Sequence, residues 1–471
     1  MSIFKSCDIR GVVGDGLDAA VVRRIGRSLG QMVRRRGGAS ICVGGDFRSS
    51  TPPLKTALTG GLTEAGISVH DVGQSPTPVV CFAARHLGLD SFAIVTASHN
   101  PSEYNGIKFS VAGRPAVPEL IGELRDGLDA PVEGGDSGNV VLKDVCSDYE
   151  AWVAKEAKGF LSSCADLPPT VGRKDSSSSE PKRMRRLHVV LDSMSGAFTN
   201  IAPRVLMSMG YRVTSLCSRI DPDFLGNEPN PARDPNLQTL VDRIGQEHAD
   251  IGIALDGDGD RVIFVDHAGA IVRPEQIAAL FVKYCFERPT VVYDVKCASV
   301  LPRAVESAGG RAIVQPSGYG FIKTTMIDRR ADMGVEVSGH HFFGVLGGGD
   351  DGLFTALVVS GLMEMTGSSL TDLVKPIGWP AITRDLRVPF QGDPADAVEA
   401  IASSCGGQLT RLDGVRTEYD DGWALARPSI TEPAITFRFE GRDGAHMREI
   451  ASRFLAGVPE LGSRVMEMID D

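Results

Sequence analysis

Short apolar runs recur along the chain and alternate with longer segments of helical periodicity. This alternation predicts α/β units, with strands buried between helices, and argues against an all-β fold. The strand-like runs are 40–43, 67–72, 92–95, 187–191, 251–255, 290–293 and 312–314. Helical patterns lie between them, for example at 203–209 and 276–286. A chain of 471 residues has room for about three domains by length alone.

A hydroxyl nucleophile follows one of these runs directly. The run that ends at Val95 continues as T-A-S-H-N-P at 96–101, which contains Ser98 and His99, and Lys108 follows shortly after. A serine becomes an effective nucleophile when a neighbour activates it or when it already carries a transferable group. The alternative is a strand-to-loop turn whose polar residues only satisfy backbone groups.

A second run, 251–255, is followed by an acidic loop, D-G-D-G-D-R at 256–261. Its glycines allow a tight turn in which three carboxylates, Asp256, Asp258 and Asp260, converge on one point. Converging carboxylates repel each other unless a cation lies between them, and sites with few carboxylate ligands suit Mg²⁺. An EF-hand calcium loop is excluded because its sixth and twelfth positions, glycine and glutamate, are here arginine and histidine. An acidic turn without a metal would leave costly unpaired carboxylates.

The two loops together resemble those of the α-D-phosphohexomutase family, the phosphomannomutases and phosphoglucomutases. That family carries its phosphoserine in T-A-S-H-N-P and its metal in D-G-D-G-D-R. Further segments match in the family's order: D-I-R-G at 8–11, D-V-K-C at 294–297, E-V-S-G-H at 336–340 and R-P-S-I-T-E-P at 427–433. The resemblance implies an α/β protein with four domains around a central cleft. The first three would share a mixed α/β sheet core, and the last would be a smaller α+β domain.

Domain limits follow from the motifs and from breaks in composition. We predict a phosphoserine-loop domain at 1–150, a metal-loop domain at 151–267, a sugar-recognition domain at 268–378 and a C-terminal phosphate-binding domain at 379–471. The segment at about 162–186 combines prolines, a run of serines and a basic run. Because such a composition cannot bury a core, we predict a flexible insert within the second domain.

The resemblance implies a role for each residue of the reacting centre. Ser98 would carry the phosphoryl group, and its phosphate with Asp256, Asp258 and Asp260 would hold Mg²⁺. A hexose 1,6-bisphosphate would serve as intermediate and activator.

The remaining catalytic roles fall to basic residues. Arg10 and Arg261 would contact the moving phosphoryl group. Lys108 is the first candidate for the general base, with a pKa lowered by cationic surroundings. His340 is the second candidate, and His99 would orient the loop.

Substrate recognition would involve the later motifs. By resemblance, the substrate-binding residues are Lys296, Glu336, Ser338, His340, Arg427, Ser429 and Thr431. The chain departs from the family pattern at Cys7, often tyrosine, at Tyr319, usually histidine, and at Ile430, usually Asn or Gly. The glycine-rich segment 346–352 predicts flexibility beside the sugar loop. These departures leave the preferred sugar open.

Composition limits the partners and the compartment. A net charge of −11 argues against nucleic acid, and nine scattered cysteines without a C-x-x-C pair indicate reduced thiols in the cytoplasm. No stretch has the length of a membrane span, and the N-terminus lacks a signal-peptide core. We expect a monomer that acts on a hexose phosphate, without a nucleic-acid or membrane partner.

Three other functions compete with a phosphomannomutase/phosphoglucomutase. A phosphoglucosamine mutase is the nearest, but that subfamily tends toward D-G-D-A-D-R, so Gly259 argues against it. A Mg²⁺-dependent sugar phosphatase would release phosphate instead of transferring it. A non-catalytic sugar-phosphate sensor is disfavoured by the intact serine and metal loops.

Overall fold

The computed structural model describes residues 2–131, 137–165, 186–428 and 434–470. These residues form four β-sheets with helices, as the α/β expectation requires. Every strand-like run noted in the sequence is a strand, and its limits differ from the predicted ones by at most two residues. Within the described ranges, no helix has both the length and the apolar character needed to cross a bilayer.

The first sheet carries the serine loop. Its elements are β1 (Ile9–Val12), α1 (Ala19–Arg35), β2 (Ser40–Gly45), α2 (Thr51–Glu64), β3 (Ser68–Gln74), α3 (Thr77–His86), β4 (Phe92–Val95), β5 (Tyr104–Val111), β6 (Arg114–Pro115), α4 (Pro118–Asp126) and β7 (Val140–Leu142). The strand order is β1-β5-β4-β2-β3-β7, with β6 paired to β5. Because β2 and β4 run parallel, the residues after them meet at one edge, and Thr96 Oγ1 donates to Asp46 Oδ2 at 2.8 Å.

The second sheet carries the acidic loop. Its elements are α5 (Cys146–Ala165), β8 (His188–Asp192), α6 (Ala202–Ser208), β9 (Arg212–Ser215), α7 (Gln238–Glu247), β10 (Ile251–Leu255), β11 (Val262–Asp266) and β12 (Ile271–Val272). Strands β10 and β11 are antiparallel and pair up to Leu255 and Val262, so residues 256–261 form the tight connection between them. β12 pairs with β11, which extends this sheet beyond residue 267, the limit taken from the sequence.

The third sheet carries the predicted sugar loop. Its elements are α8 (Pro274–Cys285), β13 (Thr290–Asp294), α9 (Val300–Ser307), β14 (Arg311–Gln315), α10 (Tyr319–Arg329), β15 (Met333–Val335), β16 (His341–Phe343), β17 (Gly349–Asp350), α11 (Gly352–Thr366) and α12 (Leu370–Val374). Residues 336–340 connect β15 to β16. The prediction of a flexible segment at 346–352 is wrong for its second half, because β17 pairs with β16 and Asp351 caps α11.

Among the described residues, the fourth sheet is antiparallel and has six strands. Its elements are β18 (Ala381–Ile382), β19 (Leu386–Pro389), α13 (Pro394–Ser404), β20 (Gln408–Thr410), β21 (Val415–Tyr419), β22 (Gly422–Pro428), β23 (Ala434–Gly441), α14 (Gly444–Phe454) and α15 (Pro459–Asp470). Arg427 lies near the end of β22. Ser429, Ile430 and Thr431 lie outside the described residues.

Helix α5 links the first three sheets. Its buried side chains recur every three or four residues, which places them on one face of the helix. From this face Phe160 packs edge-on against Phe343 and Phe354 of the third sheet region. The helix continues to Ala165, so the first residues of the insert predicted at about 162–186 are helical, and residues 166–185 lie outside the described ranges.

A buried network joins the third and fourth sheets. The Glu440 carboxylate accepts hydrogen bonds from Trp423 Nε1 at 2.8 Å and from the Ser299 backbone N–H at 2.9 Å. The Arg416 guanidinium stacks 3.9 Å from the centre of the Trp423 ring and donates to the carbonyl of Val295. The loop that contains Lys296 is therefore fixed against the fourth sheet.

Candidate active site

Ser98 stands in a strained and fully buried position. Its φ is +52°, in the left-handed region that a serine rarely occupies, and such strain persists only where the surroundings impose it. Its backbone N–H donates to Thr96 Oγ1 at 2.9 Å, and its Oγ donates to Asp256 Oδ2 at 2.8 Å. The serine loop and the acidic loop thus meet at Ser98.

Arg48 binds the backbone of the serine loop, a role that we did not predict from the sequence. Its guanidinium is fully buried and donates to the carbonyls of Ser98 (2.8 Å), Asn100 (2.6 Å) and Pro101 (2.5 Å). Its Nε lies 3.0 Å from Asp46 Oδ2, which neutralises the buried charge. The only available signal was the position of Arg48 just after β2, at the edge where β4 also ends.

The three carboxylates of the acidic loop converge as predicted. Asp256, Asp258 and Asp260 are buried, and one ligand atom from each lies within 4.8 Å of the others. Gly259 has a φ of +83°, and a Cβ added there would lie 2.1 Å from Phe198, so the turn requires glycine.

The donor set fits a divalent cation. The Oδ1 atoms of Asp258 and Asp260 are buried and have no hydrogen-bond partner. Burial and the charges of Asp258 and Asp260 raise the pKa of Asp256 to about 8. Carboxylates that repel one another in this way, with unpaired oxygens aimed together, favour a hard cation with oxygen ligands.

The surroundings of Lys108 differ from those predicted. We predicted cationic surroundings that lower its pKa, but its Nζ lies 2.9 Å from Asp258 Oδ2 and also donates to Asp260. Burial alone would lower the pKa of Lys108, yet the attraction of Asp258, Asp260 and Asp256 outweighs it and holds the pKa well above its usual value. Lys108 is therefore protonated in this arrangement.

Thr77 is a second residue that sequence reasoning missed. At the start of α3, its Oγ1 donates to Asp258 Oδ2 at 2.7 Å and its backbone N–H donates to the Asp258 carbonyl at 2.9 Å. No motif in the sequence marks it, because the contact joins the first sheet region to the second.

Five of the predicted site residues line one cavity of about 240 Å³. Its walls include Arg10, Lys108, Arg261, Glu336 and His340. The other lining residues are Lys5, Ser6, Cys7, Asp8, Ser317, Gly318 and Tyr319. Two positions at which the chain departs from the family pattern, Cys7 and Tyr319, are therefore walls of this cavity.

Glu336 and His340 are fixed within the turn between β15 and β16. Glu336 Oε1 accepts from the Gly318 backbone N–H at 2.8 Å, and burial raises the pKa of the Glu336 carboxyl. Ser338 is half-buried in the same turn. The Glu336 carboxyl group therefore lines the cavity together with the basic residues, with its Oε2 4.0 Å from His340 Nε2.

His99 lies beside Ser98, and its ring is neutral. Its Nδ1 is 3.4 Å from Ser98 Oγ. Burial, together with the positive charges of Arg261, Arg10 and Lys108, holds the pKa of His99 well below its usual value.

Lys296 and Arg427 lie apart from this cavity, between the third and fourth sheets. Lys296 Nζ lies 3.3 Å from Asp385 Oδ2, and Arg427 lies 3.1 Å from Asp413 Oδ2. Burial lowers the pKa of Lys296, but the attraction of Asp385 and Asp294 outweighs it and holds the pKa above its usual value. Arg427 is close enough to Lys296 to oppose this attraction in part. The distal phosphate residues predicted from the sequence thus form a second positive region, of which Ser429 and Thr431 are not described.

Family models cover most of the chain. The models described as phosphoglucomutase/phosphomannomutase alpha/beta/alpha domains I, II and III and C-terminal domain match residues 1–131, 171–269, 273–377 and 386–457. A phosphomannomutase/phosphoglucomutase of Pseudomonas putida is 33% identical, over 96% of this chain and 94% of that protein. A phosphoglucomutase of Neisseria gonorrhoeae is 31% identical, over 96% of each chain.

A solved structure agrees with the sequence relatives. A phosphoglucomutase/phosphomannomutase family protein from Burkholderia thailandensis superposes with a TM-score of 0.85 at 32% identity, over 97% of both chains. The recognition made from the six motifs is thus confirmed. The chain belongs to the phosphoglucomutase/phosphomannomutase family and is a hexose phosphate mutase, an isomerase.

Proposed function

We propose that the protein transfers a phosphoryl group reversibly between C1 and C6 of glucose and mannose phosphates, through a phosphoserine and a hexose 1,6-bisphosphate. The observation that supports this most directly is the contact between the strained, buried Ser98 and Asp256 of the acidic loop. A serine hydroxyl bound to one carboxylate of a candidate metal site suits phosphoryl transfer, which depends on alignment and charge neutralisation.

The proposed reaction has two transfers. In the first, the bond between Ser98 Oγ and phosphorus breaks while a free sugar hydroxyl oxygen binds the phosphorus and loses its proton. The resulting bisphosphate then turns over within the cleft. In the second transfer, Ser98 Oγ binds the other phosphorus while the bond between that phosphorus and its sugar oxygen breaks. The released sugar oxygen takes up the proton, which leaves the isomerised monophosphate.

The metal site and the cavity supply charge neutralisation. Mg²⁺ held by Asp256, Asp258 and Asp260 would neutralise the phosphoryl oxygens on Ser98. Arg10 and Arg261 line the cavity and would donate to the oxygens of the moving group.

Two residues are candidates for proton transfer. Lys108 Nζ contacts Asp258 and Asp260, which raise its pKa in this arrangement; because Mg²⁺ would take up the charge of the same carboxylates, Lys108 stays a candidate base. Both ring nitrogens of His340 are engaged by Arg261 and Asp350. His99 is neutral and lies 3.4 Å from Ser98 Oγ, so we propose it as the second candidate for the proton acceptor.

Substrate orientation depends on two regions. Glu336 and Ser338 would bind sugar hydroxyls, while Lys296 and Arg427, with Ser429 and Thr431, would bind the non-reacting phosphate. A guanidinium and an ammonium close together suit a dianion. We further propose a reducing, cytoplasmic setting, since all nine cysteines are free thiols. The monomeric state stays a prediction.

A mutase assay with a substrate panel tests the proposed function. The enzyme would receive Mg²⁺, a catalytic amount of hexose 1,6-bisphosphate, and the 1-phosphates of glucose, mannose, glucosamine or N-acetylglucosamine. We expect comparable turnover of the glucose and mannose compounds, and none with Ser98→Ala. Turnover of the amino sugar phosphates alone would show that the assigned substrates are wrong. Release of inorganic phosphate without formation of a 6-phosphate would indicate a phosphatase.

Removing one metal ligand should strongly reduce the Mg²⁺-dependent activity. In Asp258→Asn the neutral amide is a weaker ligand, while the contact with Thr77 can persist. We expect at least a ~100-fold loss of kcat, as for lost electrostatic stabilisation of the transition state, with an unchanged circular dichroism spectrum. Wild-type enzyme in excess chelator serves as the comparison, and full activity there would refute the metal assignment.

Replacing Arg48 should lower both kcat and the thermal stability of the protein. Arg48→Lys keeps a positive charge beside Asp46, but the single lysine ammonium group cannot donate to all the loop carbonyls. Each buried carbonyl left without a hydrogen bond lowers the free energy of unfolding by about 1–3 kcal/mol. The serine would shift, and a misplacement of about 1 Å costs about 100-fold in rate. Thermal unfolding and kcat would be compared with those of Arg23→Lys, an exposed arginine on α1. Wild-type kcat in Arg48→Lys would contradict the assigned role.

A further inference from the structure

Asp350 is a buried carboxylate that the mechanism above does not use. It ends β17 and is 8% exposed, in a segment whose glycines predicted flexibility. Its Oδ2 lies 2.7 Å from His340 Nδ1. It lies outside the 240 Å³ cavity and lines a separate one of about 220 Å³, so its contact with the residues of the first cavity runs through His340.

The hydrogen-bond partners determine where the His340 proton lies. Arg261 Nε carries a hydrogen and can only donate, and it lies 2.8 Å from His340 Nε2. In this contact His340 Nε2 is the unprotonated acceptor, which places the proton on Nδ1. Burial lowers the pKa of His340, but Asp260 and Asp350 outweigh it and raise the pKa, so the contact with Arg261 is what selects the neutral ring. An ionised Asp350 carboxylate can only accept a hydrogen bond, so its contact with Nδ1 requires a proton there. The neutral tautomer with its proton on Nε2 does not fit.

Asp350 is itself held firmly. It pairs with Phe342 across β16 and β17, and the His340 ring stacks on the Phe342 ring with centroids 5.7 Å apart. The next residue, Asp351, caps α11 and accepts from Tyr149 Oη on α5 at 2.9 Å. The carboxylate thus has a fixed position set by two helices and a strand.

We propose that Asp350 is a positioning residue that fixes His340 in its Nδ1–H tautomer, so that His340 Nε2 accepts from Arg261 and orients the guanidinium toward the transferred phosphoryl group. The hydrogen bonds run in one direction, from Arg261 to His340 to Asp350. The kinetic consequence rests on the proposed function, but the tautomer of His340 does not.

The first test is spectroscopic. Nitrogen-15 histidine spectra of the Mg²⁺-loaded full chain would be recorded for wild type and Asp350→Asn, with His340→Gln identifying the His340 signals. We expect a protonated Nδ1 and an unprotonated Nε2 in wild type, and a changed proton distribution in Asp350→Asn, because the amide can donate to Nδ1. A protonated Nε2 in wild type, or identical signals in both proteins, would overturn the proposal.

The second test is kinetic and uses a matched control. Asp350→Asn should lower kcat about 10- to 100-fold, the range for residues that orient a functional group from behind. In the His340→Gln background the same change should have no further effect, and an independent additional loss would contradict action through His340. The control is Asp266→Asn, equally buried and bound to the backbone N–H groups of Ala268 and Ala270, which should retain wild-type kcat.

The two tests separate this inference from the proposed function. If the enzyme proved to act on other sugars, the His340 signals would still report the tautomer. If the wild-type tautomer were as expected while kcat of Asp350→Asn equalled that of wild type, the positioning role would be refuted and the mutase function would stand.

Discussion

Mutual repulsion among three buried carboxylates is the constraint on which the site depends. Asp256, Asp258 and Asp260 lie in a turn too tight to separate them, and burial makes their charges more costly. Lys108 and the Thr77 hydroxyl offset part of this cost at Asp258, and Ser98 donates to Asp256. The unpaired oxygens that remain favour a cation, and the same cation would stabilise a phosphate on the serine.

Sheet topology explains why residues distant in sequence meet at this point. The serine loop and Arg48 follow parallel neighbouring strands of the first sheet, while the acidic loop connects an antiparallel pair of the second. The third sheet adds the turn with Glu336 and His340, which forms an isolated bridge to Arg261. Helix α5 packs between these units, so the loops hold their relative positions without a single continuous sheet.

Features that depend on a short stretch of sequence, such as strands and the loops that follow them, could be predicted from the sequence. Strand-ending loops at Ser98 and Asp256 were recognisable because short motifs after apolar runs carry the chemistry. Arg48 and Thr77 were not, since their partners lie in other loops and no local pattern marks such contacts. The pKa of Lys108 was predicted with the wrong sign because the direction depends on which charges lie nearest in space. The glycines at 347–349 suggested flexibility, but pairing of β17 and the cap at Asp351 give the segment structure.

Phosphopeptide mapping of the wild-type enzyme tests the central claim most directly. The protein would be incubated with hexose 1,6-bisphosphate and Mg²⁺, digested, and analysed by mass spectrometry before and after addition of excess hexose monophosphate. The account predicts one phosphate, located on Ser98, that is lost to the added monophosphate. Phosphate on another residue, or a Ser98 phosphate that persists, would contradict a phosphoserine mechanism built on this site.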